Sequence, residues 1–293
     1  MELRNTGGDR ARRAAREAET LARELNDPAV LGFALNARFM QTFERAGLAS
    51  ERARIGHELL TLASTPALVS LRVLGHLILI QSYSATADFA NADEQAAAVD
   101  RLGEDHGLPL VSVFTRWYRA LRTSVTEPPD SAAAGYRTAA ARLAGTGMTG
   151  LGPGLLPLAL LCLHLRRGRR PDVDPGTDFG EYEAWCRPVL LLAAGQLDQA
   201  RIAAAEIPHS PHDLLYEART ALHALVAIEL DDRPTMARLY RELLPAANEL
   251  AGAGSGLLTL GPVAQYLGDL ATALDRPDQA TAHYLAAGRL IAG

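Results

Sequence analysis

Residues 267–287 read LGDLATALDRPDQATAHYLAA, and this stretch decides the fold. Apolar residues recur three and four apart on both sides of Asp275-Arg276-Pro277, the spacing of a helix face. A proline suits the first position of a new helix, where its missing N–H costs nothing. Asp275 stands where the chain must reverse, and its short polar side chain tolerates left-handed backbone. Leu267-Gly268 on the first helix faces Ala280, Tyr284 and Ala287 on the second. Small residues let the helices approach closely, and the ring fills the gap to the next unit. The stretch predicts a helical hairpin.

The same grammar extends outward. Gly195 with Ala200 and Ala204 is a looser echo, and so is Ala87-Asp88-Phe89 with Ala92 and Ala96. Leu31, Leu35, Phe39 and Phe43 form one helical stripe. Breaks fall at Asn26-Asp27-Pro28, Ala46-Gly47, Gly107-Leu108-Pro109, Glu127-Pro128-Pro129, Asp232-Arg233-Pro234 and Gly261-Pro262, with Asp27 as an N-cap. Between breaks lie segments of roughly 11–20 residues, ordinary helix lengths. No window alternates at period two. The spacing fits the tetratricopeptide (TPR) repeat, whose period is about 34 residues. The expectation is an all-α, TPR-like α-solenoid of about fourteen antiparallel helices in about seven hairpins. An irregular helical bundle is the alternative. One domain over 1–293 is expected. The Gly/Pro-rich stretch near 168–180 is read as a long surface loop rather than a linker.

Composition narrows the function. The 293 residues contain 29 basic side chains, every one arginine, against 34 Asp and Glu, for a net charge of −5. There is no overall basic field to hold nucleic acid. The most apolar stretch, Leu155–Leu165, is far shorter than the ~20 residues that span a bilayer. No apolar segment follows the charged start of the chain, which predicts a cytoplasmic protein with no membrane contact. Two cysteines, Cys162 and Cys186, make neither a disulfide framework nor a zinc site.

Chemical motifs fail one by one. Gly252–Thr259, GAGSGLLT, lacks the lysine and preceding strand of a phosphate loop. It reads as a flexible turn between helices, with a cavity-lining loop as the alternative. His57-Glu58 begins a zinc-protease motif, but Thr61 stands where its second histidine belongs. His209 and His212 have no carboxylate cluster, so no metal or cofactor is expected. Arg10, Arg12, Arg13 and Arg16 form one basic cluster, and Arg166, Arg167, Arg169 and Arg170 another. Neither interleaves with aromatics, so direct nucleic-acid binding is not expected. Arg166 and its neighbours suit the negative end of their own helix. No nucleophile stands beside a base, and the chain is read as non-enzymatic.

Polar and aromatic residues inside apolar helices are the remaining candidates: Asn36, Arg38, Phe39, Gln41, His76, Gln81, Trp117, Tyr118, Tyr182, Trp185, Tyr216 and Glu217, with Thr259 from the glycine-rich turn. Their segments read as first helices of successive hairpins, which line the concave face of a solenoid. As a set they predict a groove for a ligand or partner. Taken singly, each is more often a satisfied core residue than a ligand contact.

Five segments carry a resemblance: ALNARFMQTFERAGL (34–48), VLGHLILIQSYSATADFANAD (73–93), VFTRWYRAL (113–121), GLLPLALLCL (154–163) and GSGLLTLGPVAQYLGDLATAL (254–274). They are similar to the C-terminal helical-repeat region of actinobacterial SARP-type transcriptional activators, which regulate antibiotic biosynthesis. The resemblance covers about residues 18–291. It implies a regulatory or sensor domain working with other domains of an activator or with the transcription machinery. The winged-helix and nucleotide-binding modules of the large forms have no counterpart here. A small-molecule effector in the groove is the leading expectation. A protein-interaction scaffold, including self-association, is the alternative.

Overall fold

The computed structural model describes residues 8–63, 66–143, 154–166 and 176–292, with 168, 171, 173 and 174 between them. Fourteen α-helices run through the described residues: α1 (Asp9–Leu25), α2 (Pro28–Gln41), α3 (Ala49–Leu62), α4 (Val69–Ala85), α5 (Phe89–Asp105), α6 (Val111–Thr126), α7 (Pro129–Leu143), α8 (Leu155–Arg166), α9 (Glu183–Ala193), α10 (Leu197–Ala205), α11 (Tyr216–Glu229), α12 (Arg233–Leu243), α13 (Val263–Ala273) and α14 (Pro277–Ala292). No strand occurs among them; an isolated bridge joins Leu250 and Pro262. The protein is all-α. No helix of the described residues is long and apolar enough to cross a membrane.

The starts and stops follow from local chemistry. Asp27 accepts the N–H groups of Ala29 and Val30 at 2.8 and 3.3 Å, capping α2 ahead of Pro28. One corner occurs at five helix ends, Gly107 included, and four of them share a further trait. Ala87, Gly195, Asp231 and Asp275 are all left-handed, with φ of 60, 77, 54 and 61°. After each, the next N–H reaches back five residues to a helix carbonyl: Asp88 to Tyr83, Gln196 to Leu191, Asp232 to Ala227 and Arg276 to Ala271, at 2.8–2.9 Å. This is a Schellman closure of the preceding helix. Five residues past each left-handed position comes a buried side chain: Ala92, Ala200, Met236 or Ala280. Asp275 takes the left-handed role its sequence position predicts. Tyr284 departs from expectation. Its ring covers Gly268 within its own hairpin, where a Cβ would meet Tyr284 Cε1 at 2.4 Å.

Helices α1 and α2, α3 and α4, α4 and α5, α6 and α7, α9 and α10, α11 and α12, and α13 and α14 make the main pairs. Thus α6, α9 and α11 open hairpins as expected. Helix α2 instead follows α1 in its pair, and α4 is shared between α3 and α5.

The chain also closes on itself. After α12 it does not pass directly to α13 but folds inward, and residues 249–264 are all buried. Leu250 N–H donates to the Ala85 carbonyl at the end of α4 at 2.7 Å. Gly47, at φ +81°, lies against Pro245, whose carbonyl oxygen is 2.1 Å from where a Cβ would stand. Only glycine fits such a backbone approach.

Candidate functional site

The glycine-rich segment sits at the centre of the molecule. Its expected reading as a flexible inter-helix turn is wrong, because a buried loop must satisfy its own backbone. This one does. Ala251 N–H donates to Gly261 O at 2.8 Å, and Leu260 N–H to Ala251 O at 3.0 Å. Thr259 Oγ donates to Ala251 O at 3.1 Å and accepts from Gly261 N–H at 3.0 Å. Tyr266 OH caps Leu260 O at 3.0 Å. Gly252, Gly256 and Gly261 are left-handed, with φ of 83, 72 and 92°, so the composition serves the bends of a packed core segment.

Polar groups from three helices converge on this loop. Arg52 of α3, 1% exposed, points at Gly254 and stands 3.4 Å from Glu249 Oε2. Its guanidinium also lies 5.1 Å from the centre of the Phe43 ring. Glu249 Oε1 accepts the Ala49 N–H at 3.1 Å, a bond across 200 residues. Glu217 of α11 accepts the Gly47 N–H at 3.3 Å. From α4, Gln81 reaches the loop at Gly256, and its buried Oε1 has no partner. Two carboxylates therefore share one buried arginine. Beside them is a cavity of about 10 Å³, room for one water at most.

Burial, and next the charge of Glu249, push the Glu217 carboxyl from 4.5 up to about 7, while Arg52 and the N–H groups of Gly47 and Gly252 oppose the shift. The folded state thus holds a proton between about pH 4.5 and 7 that the unfolded chain has released. Stability falls as pH rises through that window, and the loss is complete above it. Glu217→Gln keeps the shape of the neutral acid and removes the titration. Urea midpoints measured between about pH 5 and 8 should show wild type losing ground to the variant as pH rises. Parallel curves would sink this reading.

The thirteen predicted residues do not together line one open groove. Phe39, Trp117, Tyr118, Tyr182, Trp185, Tyr216, Glu217 and Thr259 are all buried. Phe39 packs edge-on against Phe43, and Trp117 lies tilted against Tyr136. Tyr182 joins Trp185 in the largest core cluster. Trp185 lies under the guanidinium of the buried Arg219, 5.3 Å away, and Tyr216 stacks on His212. Arg38 ties α2 to α1 and α3 through Glu19 at 3.0 Å and Glu51 at 2.8 Å. His76 Nδ1 meets Gln95 at 2.8 Å, and burial lowers its pKa. Asn36 and Gln41 are half-buried on α2. The structure gathers Glu217, Gln81 and Thr259 around the loop, places the aromatics in the core and leaves Asn36, Arg38, Gln41 and His76 half-buried. Arg52 was missed, although it falls in register with Ile55 and Leu59 on an apolar stripe. Glu249 carries no sequence signal.

A larger cavity, of about 550 Å³, opens on the other side of the loop. It lies among the start of α5, the ends of α6 and α8, the loop and α14. Phe89, Val125, Leu250, Pro262 and Leu290 supply apolar walls; Asp93, Arg122, Thr126, Arg166 and Thr259 supply polar groups. Arg122 covers the Phe89 ring at 4.8 Å, with Nε 3.4 Å from Asp93. Tyr118 OH donates to the same carboxylate. Arg166 stands in the last turn of its own helix, as its position suggested, and also reaches α6. It donates to the carbonyls of Ser124 at 2.7 Å and Val125 at 3.2 Å, closing the last turn of α6. Arg167, Arg169 and Arg170 lie outside the described residues. A hollow of about 590 Å³ elsewhere draws its whole lining from the α13–α14 hairpin and its corner.

Among the described residues no group of three or more His, Cys, Asp or Glu is placed to hold a metal. Both cysteines are buried and free, and burial pushes their thiols up. Comparison with protein-family models, curated proteins and solved structures finds no match in any of the three.

Proposed function

We propose that this chain is a non-enzymatic regulatory domain, a TPR-like α-solenoid of the kind that SARP-type activators carry, which binds a small amphipathic effector. The four recurring left-handed corners support the repeat reading. The five similar segments support the regulatory one. The effector reading rests on a single observation: the cavity of about 550 Å³ where four helices meet the buried loop. Its volume suits a small ligand, and apolar walls with a few fixed polar groups are what such a ligand needs. Occupancy would change how α14 and the ends of α5 and α6 sit on the loop, and so alter contacts to other activator domains or the transcription machinery. Nucleic acid and membranes have no direct part in this reading.

The test is a thermal-shift screen of small amphipathic metabolites on wild type and Ala90→Trp. Ala90 is exposed at the cavity mouth, so the indole blocks entry without disturbing the core. A ligand at a hundred times its Kd should stabilise wild type by about 2.7 kcal/mol and leave the variant unmoved. A panel with no hit, or a hit that shifts both proteins equally, overturns the proposal.

A further inference from the structure

Helix α1 shows an apolar face that the fold covers only in part. Ala15 and Ala22 are buried against the neighbouring helices. One step round the helix, Ala14, Ala18, Leu21 and Leu25 follow at intervals of four, three and four, and all are exposed. Leu21 is 59% and Leu25 68% exposed. Past the corner at Asn26-Asp27, Val30 and Phe33 of α2 are 40% and 72% exposed, so four large apolar side chains stand in the open within 13 residues. Such spacing is the seam of a helix that packs on another helix.

The charges of α1 say which helix. Arg12 is taken by Asp9 and Glu44, and Arg23 by Glu19 and Glu58. The exposed remainder is Arg10, Arg13 and Arg16 in the first half, Glu17 at the midpoint and Glu24 in the last turn, with no ion pair among the described residues. This unpaired set runs against the helix dipole, which favours acids at the start and bases at the end. An antiparallel helix of the same sequence corrects it, setting Glu24 of each copy beside Arg10 and Arg13 of the other.

We propose that the α1–α2 hairpin is the docking surface for a second copy of this chain, with the two α1 helices antiparallel across a twofold axis. An axis near residues 17–18 places small Ala14 across from Leu21 of the partner subunit, and large against small packs without voids. The contact is isologous, so it closes as a dimer.

Sedimentation equilibrium on the full chain, from about 1 to about 100 µM, tests this across Kd values near 10 µM. The expected particle has twice the 31.3 kDa chain mass. Leu21→Glu and Phe33→Asp, both at exposed positions, should each weaken association by roughly tenfold or more. Reversing Arg10 and Arg13 to Glu should weaken it too, and adding Glu24→Arg to that chain should restore much of the loss. Ile202→Asp and Leu285→Asp, at exposed apolar positions elsewhere, should leave it intact. A monomer across the range, a dimer indifferent to Leu21 and Phe33, or one lost only on changing Ile202 or Leu285 would each overturn the proposal.

Discussion

Arg52→Met should cost about 3–5 kcal/mol of stability, the usual price of removing one partner from a buried charge cluster. Arg52 is 1% exposed, and the carboxylates it serves, Glu217 and Glu249, are 8% and 6% exposed. Without the guanidinium, two acids remain side by side with almost no solvent around them. Methionine fills much the same volume, so lost packing contributes little. The loss should therefore be chiefly electrostatic and grow with pH, as Glu217 gives up its proton. Combining Arg52→Met with Glu217→Gln and Glu249→Gln should recover most of the stability, because no buried charge is then unpaired. Denaturant midpoints of the single and triple variants decide it. A cost under about 1 kcal/mol for Arg52→Met would show that water reaches the cluster.

Trp117→Ala should cost about 3–5 kcal/mol, the range for deleting a large aromatic side chain from a packed core. Trp117 is fully buried in α6, 5.7 Å from the Tyr136 ring of α7. It belongs to the same core cluster as Leu158 and Cys162 of α8, so truncation leaves a void among three helices. The indole Nε1 makes no hydrogen bond. Trp117→Phe therefore sacrifices volume alone and should cost well under half as much as Trp117→Ala. Guanidinium unfolding of the two variants separates these outcomes. A near-neutral Trp117→Ala would mean that the tryptophan lines an open groove, as its sequence setting allowed.

Local signals in the sequence carried the fold a long way. Asp27 before Pro28, Asp275 before Arg276-Pro277 and glycine at 195 mark corners because capping and left-handed backbone are decided within a few residues. The candidate site was far less legible. Periodicity puts Trp117 and Tyr182 on an apolar face, but cannot say whether that face opens on a groove or is covered by another helix. The segment at 252–259 has the composition of a surface turn. What buries it is α3 and α4, nearly two hundred residues earlier, and no local pattern records that contact. Arg52 was readable as a cation on an apolar stripe. Its meaning depended on Glu249, which looks like any surface acid until the chain brings it inward.

That inward fold also sets an order on the making of the protein. Ribosomes deliver α3 and α4 long before residue 249, and domains begin to organise as they emerge. Until then Arg52 lacks its Glu249 partner, and the Ala85 carbonyl lacks the donor that Leu250 later brings. The early helices must wait as a basin with its floor missing. The last third of the chain is then the piece that completes the first.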